Sequence, residues 1–209
     1  MKIFLLSVFL FFSIQLQAQY QFMFLNTNPD KKVLPDSIVQ QHQKYHMANM
    51  EKLANEGFLL VAGPFYEKGG IFIFDPSKGD LYENLKGDSA VMNDRFLLEI
   101  LEYKPVIGGI CPLKDGYEMV TYQFARFHPF SGSLVNKTDP IQTYEIEMLK
   151  KELEIVTYAK FGERGGGILI YKSEEKAPIL KALKGVKEYG FRLEEKKLYI
   201  AEGSFCEKF

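Results

Sequence analysis

Three histidines are the side chains that titrate near neutral pH in this chain. His42 and His46 stand four apart in a stretch that reads as a helix, so they share a face. That spacing matches the two ligands of the His-Glu-x-x-His zinc motif. Gln43 follows His42 where the motif needs its glutamate, and no third ligand is in sequence reach, so no metal is expected. His128 precedes Pro129 and reads as a surface loop residue. The topology is also consistent with a pairing of His46 with Asp94. In a β-α-β-β-α-β unit the first helix leaves the sheet at the end where the last strand enters, so the two can approach. A carboxylate fixes the tautomer of an imidazole beside it and equips it for proton transfer. Asn49, three residues after His46, would orient a ligand carbonyl or hydroxyl. The competing reading of the pair is a structural contact at a helix–strand junction.

The elements that must position these groups occur twice. Shifting the sequence by 97 residues lays Gly69-Gly70-Ile71-Phe72-Ile73-Phe74 over Gly166-Gly167-Ile168-Leu169-Ile170-Tyr171, and Arg95 over Arg192. Each half opens with a strand rich in aromatic and β-branched residues, over 19–26 and 117–127. A long helix follows, over 36–56 and 139–153, with Asp36 and Asp139 as caps. Met47, Met50, Leu53 and Ala54 form the apolar stripe of the first helix, and Gly57 ends it. Strands over 58–62 and 70–75 match 155–160 and 167–172. Weaker helices over 78–91 and 174–185 precede closing strands over 96–103 and 192–201. This is the order of the ferredoxin-like motif. The fold class is therefore α+β: two tandem ferredoxin-like repeats, 19–105 and 117–209, joined by a linker over 106–116. Each repeat leaves one sheet face bare, and packing these faces together sheet to sheet would bury them as a pseudo-dimer within one chain.

Residues 1–18 read as a secretory signal peptide. Lys2 supplies the positive start, 3–12 the apolar run, and Ala18 the small residue before the cut. The run is shorter than the ~20 residues of a membrane span, and no later run approaches that length. The expectation is an exported protein, periplasmic or extracellular. With a formal net charge of −1 there is no basic field to hold phosphates, so nucleic acid is not an expected partner. Cys111 and Cys206 follow the last strand of each half. An oxidising compartment permits a bridge between them, and two free buried thiols are the alternative. Gly165-Gly166-Gly167 opens a strand rather than a helix, which removes it as a phosphate cradle. Asn136-Lys137-Thr138 fits a glycosylation sequon.

From His46 the chain runs through Asn49 and Leu53 to Gly57, then to a strand ending Ala62-Gly63-Pro64, and later to Asn93-Asp94-Arg95-Phe96. This resembles the YCII-related family over about residues 20–105. His46 stands 11 residues before Gly57, as the family's histidine does, and Asp94 matches its aspartate; Arg95 replaces the proline that follows. The resemblance implies a dimeric α/β-barrel fold and a His–Asp pair in a small cleft. It implies His46 and Asp94 as catalytic; Asn49, Gly63, Pro64 and Arg95, which neighbour them in this pattern, are expected beside the ligand. The family's general activity is poorly defined. One related group removes chloride in chlorinated-aromatic breakdown, a reaction not carried over here. The second half has Thr143 and Phe191 at the two positions, so any site is single.

Two functions follow as expectations. One is an acid/base enzyme of hydrolase or lyase type, using no cofactor and acting on a small molecule. The other is a non-catalytic small-molecule-binding or structural module with the same cleft.

Overall fold

The computed structural model of the protein describes residues 20–113, 116–130, 140–141, 143–162, 165–173 and 190–206. The signal sequence, the sequon, Asp139 and the helix expected over 174–185 lie outside the described residues.

Strand β1 (Tyr20–Thr27) carries apolar side chains on both faces. Phe22 and Phe24 point one way, Met23 and Leu25 the other, and none is more than 4% exposed. A strand packed on both sides needs such a continuous run rather than alternation. Helix α1 (Asp36–Asn55) follows. Its N-cap is Pro35, and no side chain among the described residues caps it. Asp36, expected as the cap, is instead an acid of the first turn, where the helix dipole favours it. Gly57, at φ 70°, turns the chain as the Phe58 amide returns to the Leu53 carbonyl, 3.0 Å away.

The apolar stripe of α1 is rotated from the expected one. Met47 is 52% exposed, and only His46 and Leu53 are buried on this helix, with Met50 packed partly between them. These are positions i, i+4 and i+7, the spacing of one helix face. An imidazole replaces Met47 in the buried stripe because a partner for it exists, described below.

Strands β2 (Leu59–Pro64) and β3 (Gly70–Phe74) come next. The helix expected over 78–91 is instead three short pieces: a 3-10 turn (Pro76–Lys78), α2 (Leu81–Leu85) and α3 (Ser89–Met92). Three aspartates break it. Asp75, Asp80 and Asp88 each accept from a backbone amide two or three residues on, and so each starts a piece of its own.

Strand β4 (Phe96–Ile107) runs past the expected end into the stretch read as linker, and β5 (Gly109–Ile110) follows at once. The remaining elements are β6 (Met119–Pro129), α4 (Thr143–Glu152), β7 (Glu154–Phe161), β8 (Gly167–Lys172), β9 (Phe191–Ala201) and β10 (Phe205–Cys206).

Eight strands form one sheet in the order β2-β3-β1-β4-β7-β8-β6-β9. The two groups of four are hydrogen-bonded edge to edge into one sheet, and their inner faces pack on each other, as Phe24 does on Phe124. The tail of β4 makes the join, with Tyr103 opposite Phe161 and Pro105 opposite Ala159. The sheet curls until its end strands touch: Phe65 bridges Leu198, and the Tyr66 amide donates to the Lys197 carbonyl at 3.0 Å. Gly63 permits that approach, since a Cβ there would stand 2.9 Å from the Tyr199 carbonyl oxygen.

All eight strands send side chains to the enclosed face, among them Phe22, Phe24, Val61, Ile71, Leu101, Phe124, Phe161, Ile168 and Leu198. On the outer face α1 and α2 cover one group of strands and α4 the other. Beside β5 and β10, Cys111 and Cys206 form a disulfide with their Cα atoms 5.8 Å apart, which settles the cysteine alternatives.

Candidate functional site

Asp88 opens α3 and serves two elements at once. Its Oδ1 accepts the Ala90 and Val91 amides at 3.0 and 3.1 Å. Its Oδ2 lies 2.5 Å from His46 Nδ1 on α1. Asp88 is 1% exposed and His46 7%. The imidazole lies near-parallel to the Phe72 ring, centroids 5.9 Å apart, with Phe96 on another side at 6.1 Å. Burial alone would push the Asp88 carboxyl up. The His46 hydrogen bond and charge, with the two amides, outweigh it and hold the carboxyl below its usual range. In the neutral form of the ring, a carboxylate so placed would hold the proton on Nδ1 and leave Nε2 as an acceptor. Nε2 has no hydrogen-bond partner among the described residues, and 9% of the side chain stays accessible.

The carboxylate facing His46 is therefore Asp88, not Asp94. Asp94 is exposed beyond the end of α3, in the left-handed region at φ 53°, and its carbonyl accepts from Asn28 Nδ2 at 2.8 Å. The start of α3 packs against α1, whereas its end turns toward β4, which is why six residues separate expectation and finding. A signal for Asp88 exists in the sequence: an aspartate after Gly87 and before Ser-Ala-Val-Met is a helix start. A single helix drawn over 78–91 hides it.

The other expected site residues divide. A groove of about 520 Å³ opens between α1 and the α2–α3 segment. Tyr45, Asn49 and Lys52 line one wall, and Lys86, Ser89 and Met92 are on the other. Asn49 is thus where a ligand could meet it. Gly63 and Pro64 lie at the β2–β9 contact instead, and Arg95 Nη1 is spent on the Lys32 carbonyl at 3.1 Å. None of these three lines the groove. His46 and Asp88 also stand behind its walls, each next in sequence to residues that line it. The Ser89 hydroxyl adds a second tie between the walls, donating to the His42 carbonyl at 3.1 Å. No third ligand converges on His42 and His46 among the described residues.

A second imidazole–carboxylate pair sits at one end of the enclosed face. His128, expected at the surface, is half-buried with Nε2 2.6 Å from Glu194 Oε2. Burial and the nearby Arg126 charge push His128 down against the pull of Glu194. Burial alone would raise the Glu194 carboxyl, but hydrogen bonds from Lys196 and His128 bring it to about 2. Arg126 donates to Glu99 at 2.6 Å and lies 3.8 Å over the Phe24 ring, while its Nε is buried without an acceptor among the described residues. Charged side chains thus cap the apolar interior.

Fold and site together define an α+β protein with a large, curled antiparallel sheet, few helices, and a surface groove walled by two helical segments. No protein-family model matches the chain, and no curated protein matches it. Among the solved structures to which the chain is similar are two proteins. One is a candidate monooxygenase from Lactobacillus acidophilus, 12% identical, with 91% of this chain and 99% of that chain covered and a TM-score of 0.48. The other is a candidate monooxygenase from Fusobacterium nucleatum, 11% identical, with 91% and 97% covered and a TM-score of 0.48. At these values the likeness carries no inference about activity. No described helix is long and apolar enough to cross a membrane.

Proposed function

We propose that this chain is an exported small-molecule-binding protein whose ligand sits in the groove between α1 and α3. The observation that carries the reading is the His46–Asp88 contact: it fastens the two groove walls to each other from behind. A buried, paired and capped clamp keeps a groove's shape before any ligand arrives, which lowers the entropic cost of binding. The strand orders β2-β3-β1-β4 and β7-β8-β6-β9 support two ferredoxin-like units within one chain. The matching contacts Tyr103–Phe161 and Phe65–Leu198 support their closure as a dimeric α/β barrel of YCII-related type. The disulfide supports export, since such bonds persist in oxidising compartments. The test is a small-molecule screen read by amide NMR. Saturable shifts at Asn49, Gly87 and Ser89, lost in Gly87→Leu, are expected; hits that map elsewhere would remove the groove from consideration.

The free Nε2 of His46 favours a second reading, cofactor-independent acid/base chemistry of hydrolase or lyase type. Asp88 would orient His46, and Nε2 would take a proton from a ligand reaching past the groove wall. Deuterium exchange into small carbon acids in D₂O, present in wild type and absent in His46→Gln, would establish it. Absence of exchange in both leaves a binding module.

A further inference from the structure

We propose that the α1–α3 groove takes a small organic anion, with Lys52 and Lys86 as its counter-charges; this rests on the reading of the groove as a ligand site. Among the described residues the charged groups lining it are these two lysines, one on each wall, and no Asp or Glu lines it. Their present partners are weak competitors. Lys52 lies 3.8 Å from Glu56 and Lys86 2.6 Å from Glu83, both glutamates sit outside the lining, and all four side chains are largely exposed. Exposed pairs of this kind on one helical segment contribute little and exchange readily.

The uncharged groups lean the same way. Tyr45 accepts from Gln41 at 3.3 Å, which leaves its own O–H free to donate. The Asn49 side-chain amide has no partner among the described residues and can turn its two N–H donors, or its carbonyl, to a ligand. The groove therefore offers cations and unspent donors to whatever enters. The nearest buried carboxylate, Asp88, stands behind the wall with both oxygens occupied, so it does not face the ligand. The exposed Met92 side chain, with Tyr45 opposite, gives a flat apolar body a place to lie. The volume falls in the ~300–1,000 Å³ range of small-ligand sites.

The test titrates the full mature protein, at low salt, with benzoate, inorganic phosphate and the neutral isostere benzamide, following the Asn49, Gly87 and Ser89 amides. Saturable shifts with benzoate, phosphate or both are expected, and which of them binds separates a carboxylate from a phosphate ligand. Kd should rise about tenfold or more in the Lys52→Gln/Lys86→Gln variant and also with added salt. Both lysines are exposed, so the variant keeps its fold, as its unchanged amide spectrum away from the groove would report. Benzamide binding as tightly as benzoate, or an unchanged Kd in the double variant, overturns the anion proposal while the groove stands as a ligand site. No shift with any of the three overturns it as well, and the broader screen then decides the groove independently.

Discussion

His46 Nδ1 and Asp88 Oδ2 stand 2.5 Å apart, 42 residues apart in sequence, and join the long helix α1 to the four-residue helix α3. A helix as short as α3 has no stability of its own. Together with the Ser89–His42 hydrogen bond and the packing of Ala90 and Val91, its cap and this contact hold it in place. Asp88→Ala removes both and leaves a buried imidazole nitrogen without its partner. The expected loss is ~2–4 kcal/mol, read from urea unfolding. Asp88→Asn keeps the capping oxygen but turns an amide toward Nδ1. It should cost less and move the His46 proton to Nε2, which ¹⁵N NMR of the ring reports directly. A ring that keeps its Nδ1 proton in Asp88→Asn would show that Asp88 does not set the tautomer.

The same carboxylate makes stability depend on pH. Its folded pKa lies below its unfolded value, so the native state holds the charged form more firmly than the unfolded chain does. That contribution is complete above the unfolded pKa and disappears as pH falls through the folded one. Glu194, brought to about 2, behaves the same way. The urea midpoint of wild type should therefore fall between about pH 5 and pH 2. The drop should be smaller in Asp88→Asn and in Glu194→Gln. Equal acid sensitivity in all three proteins would mean that other carboxylates carry it.

Arg126 reaches from the second half of the chain to Glu99 in the first, over the ring of Phe24. The two partners are unequally buried: the Arg126 side chain is 10% exposed and that of Glu99 33%. Glu99→Ala strands a buried guanidinium, whereas Arg126→Met leaves a carboxylate that water can reach. Glu99→Ala should cost ~1–3 kcal/mol and Arg126→Met less, by thermal or urea unfolding. The reverse order would show that stacking on Phe24, not the ion pair, is the larger effect.

The Cys111–Cys206 bridge closes a loop with 95 residues of sequence separation. Long loops lose the most unfolded-state entropy on closure, so the Cys111→Ser/Cys206→Ser variant should lose ~2–4 kcal/mol. Single serine variants should lose a similar amount. An unchanged melting temperature would mean that the β5–β10 contact holds without the bond.

Much of the architecture follows from the sequence alone. Aromatic and β-branched runs and the Gly-Gly openings at 69–70 and 166–167 mark the strands, and their recurrence at a near-constant spacing marks the two halves. Helix α1 shows its span in the same way, because Asp36 and Gly57 mark its two ends locally, although Asp36 proves to be a first-turn acid rather than the cap. The places of His46 and Asn49 on that helix are legible as well, since their spacing is a local property.

Tertiary structure decided the rest, because it depends on pairings between distant segments. The rotation of α1, which buries His46 and exposes Met47, depends on a carboxylate 42 residues away. The choice of Asp88 over Asp94 depends on which end of α3 meets α1; the sequence marks Asp88 as a helix start but not as the partner of His46. The run of β4 to Ile107 requires β7 to hydrogen-bond with it, so its tail reads as linker until that strand is in place. Gly63 reads as part of a site but serves the close approach of β9. Local propensity determined which segments are strands and helices; long-range hydrogen bonding and burial determined which charged groups face each other.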